Sequence, residues 1–259
     1  MNEVDLKQII DDLKIPAFRF FKETDSTNSQ ALNWVSCGTP EYSLVIAEAQ
    51  TAGRGRNGRR WVTTPGSSLA VSVVLHPSAW ERKKLGLFSL LGGFSVLKVL
   101  EKLYHINAQV KWPNDVLIEN KKTAGVLAES LWQGENLQGL VLGIGINLMM
   151  PSIPSQDLLM FPATCIEAHT KDRINPVETL AYLIEALIEL RESILSPIFI
   201  RQYESALAYK DQLITLDAGK GEIYSGFLRG IDTQGRIIIQ ITDGTKQIFP
   251  IGDVKLRPQ

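Results

Sequence analysis

AQVKWPNDVLIENKKTAGVLAESLWQGENLQGLVLGIGINL, residues 108 to 148, decides the fold class. Four short runs, AQVKW, DVLIE, AGVLAESLW and LQGLVLGIGINL, follow one another with no helical period between them. Turn signals at ENKK and WQGEN separate the last three, as hairpins require. A doubly wound parallel sheet needs a crossover helix between successive strands, so this stretch argues against one. Upstream, a long helix over about residues 83 to 103 and strands in YSLVIAEAQ and SSLAVSVVL extend the pattern. FRFFKET reads as a further strand, and DSTNSQALNWV as a helix with Asp25, Ser26 or Thr27 near its N-cap. Downstream, VETLAYLIEALIELRESIL is helical, and a break at Pro197 leads into a second helix ending near Ala208. After Asp211 the runs LITLD, GEIYSGFLRGI, GRIIIQIT and KQIFPI are joined by AGKG, DTQG and DGT turns, a small all-β unit. The reading is α+β: a mixed sheet with helices over residues 1–210, then a β domain over 211–259.

The bulk properties exclude several classes. A formal net charge of −1 over 259 residues lacks the overall basic excess of a general nucleic-acid binder. One short helix fits before Pro16, where a helix-turn-helix needs two, so no DNA-reading domain is expected in front. The acidic, amphipathic start is wrong for a signal peptide. The longest apolar stretch, LGLFSLLGGFSVLKVLEKL, carries glycines and lysines and reads as a buried helix rather than a membrane span. Cys37 and Cys165 stand alone, as buried thiols in a reducing, cytoplasmic setting, and His76, His105 and His169 are too scattered for zinc.

Chemistry concentrates in a few places. GRGRNGRRW, residues 53 to 61, alternates glycine with Arg54, Arg56, Arg59 and Arg60 before Trp61. Guanidinium forks bind phosphate or carboxylate oxygens, and Gly53, Gly55 and Gly58 permit positive φ with N–H groups turned toward an anion. A solvated loop rarely alternates this way, and an RNA-binding Arg-Gly segment would repeat, so a small anionic ligand is favoured. Its glycine content and mutual arginine repulsion imply a loop mobile without ligand from Thr51 to Arg60. KWPND, residues 111 to 115, puts Lys111 and Asp115 at the ends of a stiff corner, Asp115 being able to hold Mg²⁺; a plain structural turn is the alternative. KKTAG offers Lys121 or Lys122 at a tight turn, where solvated lysines are the ordinary reading. GIGIN, residues 143 to 147, lets another group approach the backbone, and Asn147 suits an adenine edge. It is no dinucleotide fingerprint, and no Walker-type run exists.

DSTN, GRGRNGRRW, KWPNDV, KKTAG and GIGIN, in this order and spacing, closely resemble the biotin protein ligases (biotin–[acetyl-CoA-carboxylase] ligases). The likeness runs from about Phe18 into the C-terminal β unit. It implies a catalytic domain related to class II aminoacyl-tRNA synthetases, followed by a small SH3-like barrel. It also implies two steps: biotin and MgATP give biotinyl-5′-AMP and pyrophosphate, then a lysine of a biotin carboxyl carrier protein takes the biotinyl group. By the same match, Ser26, Thr27, Asn28, Gln50, Gly53, Arg54, Gly55, Arg56, Lys122 and Gly125 fall at biotin-contacting positions. Arg56, Arg59, Trp61, Lys111, Asn114 and Asn147 fall on the ATP side, with Phe161 as a second candidate wall for the nucleotide. Arg54, Arg56, Arg59, Lys111 and Lys122 would offset the repulsion between biotin carboxylate and α-phosphate. Asp115 would hold Mg²⁺ or orient the incoming amine. A lipoate–protein ligase shares this logic, but its family prefers an arginine-poor loop. A nucleic-acid module would leave KWPND and GIGIN unexplained, and a biotin sensor without turnover would bind without labelling a carrier. An apolar mixed sheet also leaves an edge with which a second copy could pair.

Overall fold

The computed structural model describes residues 3–155, 159, 161–250 and 252–255. Among these residues, five α-helices, α1 (Glu3–Asp12), α2 (Thr27–Val35), α3 (Gly86–Tyr104), α4 (Pro176–Glu192) and α5 (Pro197–Ser205), surround two sheets. The large sheet contains β1 (Phe18–Thr24), β2 (Leu44–Gln50), β3 (Ser68–Leu75), β4 (Gln109–Lys111), β5 (Asp115–Ile118), β6 (Lys121–Gln133) and β7 (Asn136–Asn147). Its order is β1-β2-β3-β7-β6-β5-β4. Only the β1–β2 pair, joined through α2, is parallel; every other neighbour is antiparallel. The consecutive hairpins from β4 to β7 therefore form half of the sheet, as the stretch 108 to 148 requires.

Strand parity divides the sheet into a packed face and an open one. On β7, Leu140, Leu142, Ile144 and Ile146 enter the main core beneath α3, while Val141 points to a small cluster under α2. Gly143 and Gly145 share the parity of Val141 and leave the sheet bare on that side. The α3 helix is apolar nearly all round because it is covered by the sheet on one side and α4 on the other. Among the described residues, no helix is long and apolar enough to cross a membrane. A 3₁₀ turn over Glu81–Lys84 precedes α3, so the α-helix begins three residues later than the period alone places it.

Helix starts follow their caps. The Asn175 side chain accepts from the Val177 and Glu178 N–H groups, with Pro176 in the first turn of α4. Ser196 does the same for Ile198 at the start of α5. The start of α2 differs: the Ser26 side chain makes no capping bond, and Gln50 Oε1, at the end of β2, accepts from Thr27 N–H at 2.8 Å. That cross-strand cap pins the N-terminus of α2 at the C-terminal end of β2.

The small sheet holds β8 (Leu213–Gly219), β9 (Glu222–Ile231), β10 (Ile237–Gln240), β11 (Lys246–Phe249) and β12 (Asp253–Lys255), in the order β11-β10-β9-β8-β12. Four strands match the sequence reading. The fifth, β12, is three residues long and carries no period to detect. The apolar faces of β8, β9 and β10 merge with the main core through Ile214, Leu228, Ile237 and Ile239. Trp112 Nε1 donates to the Gly235 carbonyl at 2.8 Å, tying the KWPND corner to the β9–β10 turn. Of the two thiols expected to be buried, Cys165 is and Cys37 is not; Cys37 lies in the polar turn after α2.

Candidate functional site

A cavity of about 490 Å³ opens on the bare face of the large sheet. Its floor is a glycine step on two neighbouring strands. Gly125 of β6 and Gly145 of β7 are directly paired, and a Cβ on either would press on the Trp61 indole. Two residues back along β7, a Cβ on Gly143 would run into the Asn28 amide. Side chains on one strand face repeat about every 6–7 Å, so Asn28, the indole and Asn147 succeed one another along β7 at that spacing.

One end of the cavity is neutral and rich in hydrogen-bonding groups. Ser26, Thr27 and Asn28 come from the start of α2, and Gln50 from the end of β2. Ser72 Oγ, on β3, lies 2.6 Å from Asn28 Oδ1 and 2.8 Å from Thr27 Oγ1. Asn28 Nδ2 donates to Glu129 Oε2 at 2.7 Å, and the same oxygen accepts from Arg54 Nη2 at 2.8 Å. Glu129 thereby links the arginine loop to α2. It shares the face of Gly125 and Leu127 by strand parity, a signal that period two along β6 carries in the sequence.

The other end is cationic. Lys111 and Asp115 are cross-strand partners at the β4–β5 corner, and the peptide between Trp112 and Pro113 is cis. Lys111 Nζ stands 4.1 Å from the Phe161 ring centroid. Burial lowers the Lys111 pKa from its ordinary value; Asp115 opposes that shift and Lys122 adds to it. Of the KKTAG lysines, Lys122 faces the cavity, its Nζ 2.6 Å from Asp115 Oδ1, while Lys121 is exposed. That Asp115 oxygen is buried and, among the described residues, has no other hydrogen-bond partner. Among the described residues, no three His, Cys, Asp or Glu side chains gather to hold a metal ion. One ion-paired carboxylate does not make a protein-held Mg²⁺ site, which takes further ligands from phosphates and water.

The arginine loop closes the cavity as a narrow β-like turn. Gly55 N–H donates to the Arg59 carbonyl at 2.7 Å and Trp61 N–H to the Gly53 carbonyl at 2.9 Å. Of the three glycines that permit positive φ, Gly58 (φ 71°) adopts it, together with Asn57 (φ 55°) at the 3₁₀ tip. Gly53 is needed because a Cβ there would strike the Trp61 carbonyl. Arg54, Gly55, Arg56 and Arg59 line the cavity, whereas Gly53 lines a second, more open cleft between the loop and Leu127 and Glu129 of β6. Arg56 Nη1 donates to the Asn114 side-chain oxygen Oδ1 at 3.2 Å. The arginine repulsion invoked for loop mobility is offset by Glu129 and by Asp253 of β12. Asn147 is buried, and its amide donates to the Thr164 carbonyl at 3.0 Å. Among the described residues, the buried Trp61 Nε1–H has no hydrogen-bond partner.

The family described as Biotin/lipoate A/B protein ligase matches residues 20–147, which contain the glycine floor, the arginine loop and both lysines. The chain is 32% identical to the Biotin--[acetyl-CoA-carboxylase] ligase of Paracoccus denitrificans, over 89% of this chain and 97% of that one. It belongs to the biotin protein ligase family. The bifunctional ligase/repressor BirA of Salmonella typhimurium is 33% identical over 90% of this chain and 72% of its own length. The biotin protein ligase of Aquifex aeolicus, solved in complex with biotin and ATP, superposes with a TM-score of 0.79 at 29% identity. That likeness covers 94% of this chain and all of the Aquifex one, so this biotin protein ligase shares both sheets in the α+β arrangement read from the sequence.

Proposed function

We propose that the chain is an ATP-dependent biotin–[biotin carboxyl carrier protein] ligase. It forms biotinyl-5′-AMP with release of pyrophosphate and then passes biotin to a carrier lysine. The observation that carries this reading is the polarity of the cavity: neutral donors and acceptors at one end, an apolar indole over paired glycines in the middle, four cationic side chains at the other. Biotin has that polarity, with a neutral ureido ring, a thiophane body and a terminal carboxylate.

Ser26, Thr27, Asn28 and Gln50 meet the ureido ring in this reading, and the backbone of the 53–55 segment covers the chain. Lys111, Lys122, Arg56 and Arg59 surround the point where carboxylate oxygen attacks the α-phosphorus and pyrophosphate leaves. Each neutralises charge shared between two anions, the usual source of stabilisation in phosphoryl-type transfers. Magnesium would enter with the nucleotide and offset its phosphate charge, with Asp115 the nearby carboxylate that could hold it. Asn147 and Asn114 lie on the adenine side, with Phe161 beside Lys111. In the second half-reaction the carrier amine attacks the biotinyl carbonyl and AMP departs; Asp115, already paired with Lys122, is placed to receive an ammonium. Residues 1–210 act as the catalytic domain and 211–259 as the SH3-like one. The edge strand β1 offers a surface for a homodimer, and the carrier substrate suits a cytoplasmic enzyme.

The test is mass spectrometry of a carrier domain incubated with biotin, MgATP and the protein. A single biotinyl addition on one lysine is expected; retained biotin binding without labelling would instead mark a sensor. Glu129→Gln should keep the bond to Asn28 and lose the ion pair with Arg54. Since both partners are partly exposed, the expected cost is a two- to fivefold rise in KM for biotin, about 0.5–1 kcal/mol, with kcat unchanged. Steady-state kinetics check it.

A further inference from the structure

A carboxylate from the small sheet touches the arginine loop at three side chains. Asp253 opens β12, yet it lines the cavity of the large sheet. Its Oδ2 accepts from Arg59 Nη2 at 2.5 Å and from Asn57 Nδ2 at 3.2 Å, and its Oδ1 lies 3.6 Å from Arg56 Nη1. The adjacent Gly252 carbonyl accepts from both terminal nitrogens of Arg56 at 3.4 Å. The Arg56 and Asp253 side chains are 17% and 18% exposed, so salt screens their pairing less than it would a surface pair.

Arg56 and Arg59 are the guanidiniums assigned above to the nucleotide's phosphates. A carboxylate and a phosphate oxygen compete for the same donors, because a guanidinium fork presents a fixed set of N–H groups in one plane. We propose that Asp253 is an internal counter-ion of the nucleotide site, holding Arg56 and Arg59 over the cavity until a polyphosphate displaces it. The inference rests on the ligase reading and deepens it. Asp253 is then a positioning residue, and the seat of β12 on the loop is coupled to nucleotide entry. By linkage, a polyphosphate loosens the hold of Asp253 on the two arginines by the same factor by which that hold weakens polyphosphate binding.

Calorimetric titration with inorganic pyrophosphate tests this on the full chain, comparing the parent with Asp253→Asn and Asp253→Ser. Both variants should bind pyrophosphate about 3- to 10-fold more tightly at low salt, with the gain shrinking as salt rises. KM for ATP in biotin-dependent exchange should fall by a similar factor, with KM for biotin unchanged. Asp253→Glu should behave as the parent. A merely structural role would loosen the site, so a gain in affinity separates the two. Unchanged or weaker pyrophosphate binding in a variant that unfolds at the parent's temperature overturns the proposal; two variants guard against one failing to fold. Absence of biotin-dependent exchange in the parent would instead remove the ligase reading, leaving the pyrophosphate result to judge Asp253 alone.

Discussion

Alanine in place of Lys111 is expected to slow biotin-dependent pyrophosphate–ATP exchange by about 10²–10³-fold, the cost of removing one preorganised donor from developing charge. The geometry explains why this lysine should count so heavily. Its ammonium is held at a half-buried strand corner, set against the Phe161 ring and opposite Asp115, so less solvent reorganisation is expected when charge builds on the phosphorus. Burial leaves it a stronger acid than an exposed lysine, which favours partial proton donation to a bridging oxygen. The loss should appear in kcat, with KM for biotin nearly constant, because the neutral end of the cavity is untouched. Single-turnover adenylation measured by quench flow checks it. A loss under threefold would remove Lys111 from the mechanism.

Valine in place of Gly145 is expected to raise KM for biotin by about 10–100-fold. Gly145 and Gly125 are opposite one another under the Trp61 indole, and a Cβ at Gly145 would overlap the ring. The indole must lift into the cavity or the strands must part, and overpacking of this kind costs about 1–3 kcal/mol. That energy is drawn from the space the ligand needs, so it falls on binding rather than on the distant core under α3. Biotin titration with an unfolding scan as control distinguishes the two. Binding within threefold of the parent would show that the glycine floor is not part of the ligand site.

Much of this was legible in the chain itself. The hairpin succession from Gln109 to Asn147 pointed to the sheet's antiparallel half, since no helical period lies between its strands. The arginines stood out by alternating with glycines, whereas Lys111 and Lys122 gained roles only through the family resemblance, an ordinary turn or solvated lysine being the alternative at each. The residues that escaped did so for physical reasons. Asp253 meets Asn57 across 196 residues of sequence, and no local pattern encodes a contact between two sheets. Ser72 reads as one polar residue in an apolar strand until α2 is laid over it. Glu129 was within reach, because period-two parity places it on the face of Gly125. The loop glycines teach a similar lesson: Gly53 is small to admit a neighbour's carbonyl, a tertiary fact, and only Gly58 is there for its φ.

The most direct test of the central claim is pyrophosphate–ATP exchange by the purified chain with MgATP, run with biotin, with lipoate and with neither. Exchange that depends on biotin alone is the predicted result and establishes the adenylation half-reaction. Exchange supported by lipoate and not by biotin, or by neither with the chain folded, would contradict it.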